Sequence, residues 1–171
     1  MAMVKIQGWK KNLLKYDERL NFYCVKNCYW NVLSFYHIPH APLYLNSELS
    51  MQLKINQDNP SDFTVNLVHD PLLKSQEWHE IQHKTTDLSK SLSEFEQLIE
   101  QNIPIVMAVD GYFLPYHEQF LHVHEQHSIL LTGLNLKEGY AELIDYFPPM
   151  FYCGVIKLSS LNPVSYTHLT V

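Results

Sequence analysis

A cysteine, a histidine and an acid that lie far apart in this chain could together make an activated nucleophile: Cys28, His127 and Asp145. A thiol attacks carbon as its thiolate, an imidazole within reach draws off the proton, and a carboxylate behind the imidazole holds its tautomer and raises its basicity. Apolar residues at Val25, Tyr29, Val32, Leu33 and Tyr36 follow helical spacing around Cys28. The polar pair Lys26-Asn27 places Cys28 near the start of that predicted helix, where the helix dipole favours a thiolate. The competing reading is a small buried residue on an amphipathic helix, since cysteine is among the most buried residue types. Cys24 falls in the turn before the predicted helix and is read as a spectator, and Cys153 as a core residue of a strand. Asn21 and Asn27 precede the nucleophile, and an amide there could donate to a developing oxyanion beside the Cys28 backbone N–H.

The elements that must position these groups can be read in order. The helix around Cys28 should end by His37-Ile38-Pro39, because proline disfavours helical geometry in the residue before it. A second amphipathic piece is expected over Leu45 to Ile55, a turn at Asn56 to Asp62, and a short strand over Phe63 to Val68. Residues 70–90 carry no clear pattern. Ser91-Leu92-Ser93-Glu94 is a capping-box pattern opening a helix with Leu92, Phe95, Leu98 and Ile99 on one side. Ile103 to Val109 reads as a buried strand ending at Asp110-Gly111. Ser128 to Leu134 and Tyr140 to Ile144 should pair as an antiparallel hairpin across Asn135 to Gly139, with a further strand over Tyr152 to Leu158. In an antiparallel hairpin the start of one strand lies beside the end of the other, so His127 and Asp145 are expected to be neighbours.

These residues carry a resemblance. Asn27-Cys28-Tyr29, the segment Val109-Asp110-Gly111-Tyr112-Phe113-Leu114-Pro115-Tyr116-His117, then His127 and Leu143-Ile144-Asp145, are similar in order and spacing to the N-terminal domain of butirosin biosynthesis protein H and its relatives. The resemblance covers roughly residues 20–160. It implies an α+β, papain-like (cysteine protease-like) fold in which a helical half packs on an antiparallel sheet. It implies Cys28 as nucleophile, His127 as base and Asp145 as orienting acid. It also implies transfer of an acyl group from a carrier-protein thioester, by way of an acyl-cysteine, to a small-molecule amine in natural-product biosynthesis. The stretch between the nucleophile helix and Phe63 reads as short for that family, and the second domain that many relatives carry is not expected within these residues, which bears on the acceptor site. The expected partners are an acyl or peptidyl carrier protein bearing a phosphopantetheine thioester and the amine, with no cofactor held by the chain itself. A cysteine peptidase or amidase that gives the acyl group to water, and a binding protein on the same scaffold, are the alternatives.

His117, His122, His124 and His127 lie close together with Asp110, Glu118 and Glu125, a composition that could ligate a metal. None of the usual motifs such as His-Glu-x-x-His is present, and no metal site is assigned. The segment is read instead as a loop over the cleft, with Tyr112, Phe113 and Tyr116 lining an apolar acyl channel and Asp110 and Asn27 as further substrate contacts. Lys5, Lys10, Lys11 and Lys15 form a basic cluster that could meet an acidic carrier.

Composition bounds these readings. The 171 residues suffice for one domain with its own core, expected over 1–163. Hydrophobic content of 46% excludes intrinsic disorder, and a formal charge of -6 argues against general nucleic-acid binding. Three cysteines without a secretory leader, and no run long enough to span a membrane, lead us to expect a cytoplasmic protein. The tail Val164 to Thr170 resembles a translated sequencing adapter, so residues 164–171 are expected to be non-native and poorly ordered, with no function for His168.

Overall fold

The computed structural model describes residues 3–9, 24–38, 50–55, 63–68, 79–84, 88–147, 150–161 and 163–170. They form an α+β protein. In chain order the elements are β1 (Val4–Lys5), α1 (Cys24–Phe35), β2 (Ser50–Ile55), β3 (Phe63–Val68), β4 (His79–Lys84), α2 (Leu88–Glu100), β5 (Ile105–Asp110), β6 (Gln126–Asn135), β7 (Tyr140–Phe147), β8 (Met150–Lys157) and β9 (Pro163–Thr170). One antiparallel sheet runs β4-β9-β5-β6-β7-β8, with β1 joined to β6, and β2 and β3 form a separate hairpin.

The apolar run of β5 buries Ile105, Met107 and Val109 completely, as a strand paired on both sides requires. The β6–β7 hairpin forms where turn chemistry dictates, with Gly139 supplying the positive φ of +71°. The Leu131-to-Gly133 step against Leu143 and Glu142 is a bulge. There Gly133 lets three strands converge: a Cβ at that position would lie 3.1 Å from both the Glu142 Cβ and the Val4 carbonyl oxygen. Lys5 closes this corner by an ion pair to the buried Glu142, 3.0 Å. From the basic cluster, Lys5 is thus engaged within the fold; Lys10, Lys11 and Lys15 lie outside the described residues. Helix α2 buries Phe95 and Ile99 and packs Leu92 and Leu98 partly against the core, the expected apolar side.

Several boundaries differ from expectation. Helix α2 begins at Leu88, so Ser91 is a buried residue within it and not its cap. Ser50–Ile55 is a strand, pairing with Phe63–Val68 residue for residue, where an amphipathic helical piece was expected; Leu45 to Leu49 and the turn at 56–62 fall outside the described residues. The polar stretch 70–90 contains β4, a strand without apolar alternation. The tail also departs from expectation. Pro163–Thr170 is a strand inserted between β4 and β5, with Tyr166 opposite Met107 and His83. Its Val, Tyr and Thr content suits a pleated strand, and the edge of β5 offers it a full row of backbone partners. Among the described residues no helix is long and apolar enough to cross a membrane.

Candidate active site

The site forms where β6 and β7 part. Their ladder ends at Leu130 opposite Ile144, and the first turns of α1 meet the carbonyls left beyond it. Asn27 Nδ2 donates to the Tyr146 carbonyl at 3.1 Å, and Cys28 Sγ donates to the Ser128 carbonyl at 3.5 Å. Buried carbonyls need such partners, so these two side chains fix α1 in the opening of the hairpin.

The sheet brings His127 and Asp145 together as expected. Continuing the register would set Asp145 opposite Ile129, so the two are diagonal neighbours rather than direct partners. His127 Nε2 donates to the Asp145 carboxylate, 2.8 Å to Oδ1 and 2.9 Å to Oδ2, with both residues buried. Nδ1 is the nitrogen left for a thiol.

That thiol is Cys24. It is the first residue of α1, partly exposed, and hydrogen-bonded to His127 and to the Ser128 hydroxyl and backbone N–H. Burial pushes its thiol up, but the His127 hydrogen bond and charge, with the help of Ser128, outweigh burial and leave it below its usual value. His127 shifts the opposite way. Burial disfavours its charge, yet the hydrogen bonds to Asp145 and Cys24 and their negative charges raise it to about 9. The two shifts run in opposite directions, as expected of a thiol and an imidazole that exchange a proton.

Cys28 stands one helical turn further in, 2% exposed. Burial first, then the Asp145 and Cys24 charges, push its thiol well above the usual value. His127 was expected to serve Cys28, whereas the thiol whose shift it drives is Cys24. The reason is the helix start: Lys26 and Asn27 looked like the polar residues before a helix, but both are buried inside it, which makes Cys24 the N-terminal residue. Asn27, expected as an oxyanion donor or substrate contact, is fully buried, with its Nδ2 donating to the Tyr146 carbonyl. Asn21, the other amide considered for that role, lies outside the described residues.

Tyr116 was expected in an acyl channel. Instead its hydroxyl donates to Asp145 Oδ2 at 2.9 Å, and its ring stacks on Tyr152 with centroids 3.8 Å apart and planes 2° from parallel. Tyr152 is itself the β8 partner of Asp145, so the carboxylate is supported from across the strand. Burial, then the Asp145 charge, raise the Tyr116 hydroxyl and keep it a donor. Next in the chain, His117 is buried with its ring 4.6 Å from that of His127.

Asp110 is likewise committed. Its Oδ1 accepts the Tyr112 N–H at 3.0 Å, capping the short 3-10 turn Gly111–Phe113, and its Oδ2 meets His124 Nδ1 at 2.6 Å. His124 stacks on Tyr112, centroids 4.1 Å apart, with Phe113 edge-on to Tyr112. The histidine cluster thus divides into a buried pair, His117 and His127, and an exposed His124 held by Asp110; among the described residues no three His, Cys, Asp or Glu converge to hold a metal.

Fold and site define an α+β protein that sets a thiol against an acid-supported imidazole at the mouth of a hairpin. The chain belongs to the family described as butirosin biosynthesis protein H, N-terminal, which matches residues 31–146. The match includes His127 and Asp145, while Cys24 and Cys28 both precede it. Membership ties the protein to natural-product biosynthesis. No curated protein sequence matches it.

Proposed function

We propose that this protein is a cysteine-dependent acyltransferase on a papain-like scaffold, with Cys24 in the nucleophilic role that was expected of Cys28. The observation that carries the reading is the buried His127 imidazole held at 2.8 Å by Asp145, with the thiol lowered by that imidazole at the first residue of α1. The Cys24 thiolate attacks the carbonyl of a thioester on a carrier protein. The oxyanion that forms is met by the Cys24 backbone N–H at the first residue of α1. Collapse expels the carrier thiolate, which takes the His127 proton. An amine then attacks the acyl-Cys24 carbonyl, gives a proton to His127, and leaves as the amide while Cys24 returns to thiolate.

A thioester is already activated, so the protein contributes proximity, a matched base and exclusion of water. The acyl donor is a phosphopantetheine thioester on an acyl or peptidyl carrier in the cytoplasm, the acceptor a small-molecule amine, and no cofactor of the protein's own takes part. Tyr112 and Phe113, both half-buried, are the aromatic surface we assign to the acyl chain. The test is turnover of an acyl-pantetheine thioester with and without an added amine, read by mass spectrometry of intact protein and products. An acyl adduct on Cys24 that passes to the amine is the expected result. Acid as the sole product with amine present would make the protein a hydrolase on the same site, and the absence of any adduct would leave a binding protein.

A further inference from the structure

Resting on that reading of Cys24, we propose that His117 is a positioning residue for the reactive pair: its neutral ring holds the His127 imidazolium against Cys24, and protonation of His117 releases it. His117 is 6% exposed, and its ring meets that of His127 at 4.6 Å with the planes 51° apart. Its Nδ1 accepts the Gln119 backbone N–H at 3.2 Å, so in the neutral ring the proton sits on Nε2. Gly111 lies against the same ring, and a Cβ there would stand in van der Waals contact, 3.4 Å from His117 Nδ1 and from the Glu125 carbonyl.

Tyr116 and His117 therefore act as adjacent fingers, one on Asp145 and one on His127. Protonation of His117 would do two things at once. It would turn Nδ1 into a donor facing the Gln119 donor, breaking the bond that fixes the ring. It would also place a second positive charge beside the imidazolium. The groups that face His117 are His127, Asp145, Glu118 and Glu125; burial, then the His127 charge, lower its titration, outweighing the three carboxylates. His117 is thus neutral where the pair works and takes up its proton only on acidification.

The test is the rate of iodoacetamide alkylation of Cys24 in the full chain between pH 4.5 and 8, resolved by peptide mass spectrometry. Wild type, His117→Phe, His117→Asn and His127→Ala are compared. In wild type the acid limb should steepen from one proton to two. His117→Phe keeps the ring contact but cannot be protonated; its limb should stay at one proton, so that it retains a larger share of its neutral rate at pH 5. His117→Asn keeps an acceptor for Gln119 but loses the ring, and should be slower at every pH. Identical acid limbs in wild type and the Phe variant, or an Asn variant as fast as wild type, overturn the proposal while His127 dependence of Cys24 persists. Loss of that dependence in wild type overturns the Cys24 assignment and this proposal with it.

Discussion

Which of two cysteines one helical turn apart is the nucleophile can be decided without knowing the substrate. A thiol with an ordinary pKa of about 8.5 is only about 0.3% thiolate at pH 6, so a pair that ionises fully can raise the reactive fraction by at most about 300-fold. Part of that gain is lost because a less basic thiolate is a poorer nucleophile. Cys24, lowered by His127 and Ser128 and partly exposed, should therefore alkylate faster than an ordinary thiol at pH 6, within that ceiling. Cys28, raised by burial and by the Asp145 and Cys24 charges and 2% exposed, should not react until the protein unfolds. His127→Ala should return Cys24 to ordinary thiol behaviour. Cys28→Ala should leave Cys24 reactive and lower stability by about 1 to 2 kcal/mol, through lost sulfur burial and the lost bond to the Ser128 carbonyl. The assay is iodoacetamide labelling followed by peptide mass spectrometry, paired with chemical denaturation. Labelling of Cys28 ahead of Cys24 in folded protein would refute the reasoning, as would acyl capture that survives Cys24→Ala and disappears in Cys28→Ala.

Asp145→Asn removes the carboxylate that raises His127 to about 9. A histidine raised above its unfolded value of 6.5 stabilises the fold fully below 6.5 and loses that contribution as pH climbs through 9. The stability deficit of the variant, read by chemical denaturation, should therefore be largest near pH 6, at most about 3 kcal/mol, and shrink toward pH 10; a deficit that grows with pH would contradict the pairing. Tyr116→Phe removes the 2.9 Å bond to Asp145 and should cost about 1.5 to 3 kcal/mol of its support, seen as a lower kcat on an acyl-pantetheine thioester with little change in KM. Gly133→Ala forces a Cβ to 3.1 Å from the Val4 carbonyl oxygen and the Glu142 Cβ, and calorimetry should show a loss of about 1 to 3 kcal/mol. Deleting residues 163–171 uncovers the outer edge of β5, and size-exclusion chromatography should show association of the shortened chain; a monomer with unchanged melting would show that β9 contributes nothing.

What could be read from residues alone was the part governed by short-range pattern. The β6–β7 hairpin follows from two apolar runs around a polar link, and His127 and Asp145 follow from the hairpin, because antiparallel pairing relates strand ends whatever the rest of the chain does. The cysteine failed at a boundary. Helix starts are read from polar residues, and Lys26-Asn27 is polar, but both are buried inside α1, where Asn27 donates to the Tyr146 carbonyl of β7. One turn separates Cys28 from Cys24, which we propose as the nucleophile, and both lie on one helix face, so periodicity could not separate them. A usable signal was available: a thiol at the first residue of α1 keeps access to solvent, and one a turn deeper is buried. Tyr116 and His117 were hidden for a different reason. Their roles depend on the chain folding back so that a loop after β5 meets β7 and β6, a long-range placement that no local spacing encodes. Aromatic residues in a loop over a cleft invite a substrate-channel reading, yet a carboxylate and an imidazolium held in a buried site themselves need partners, and these two residues supply them.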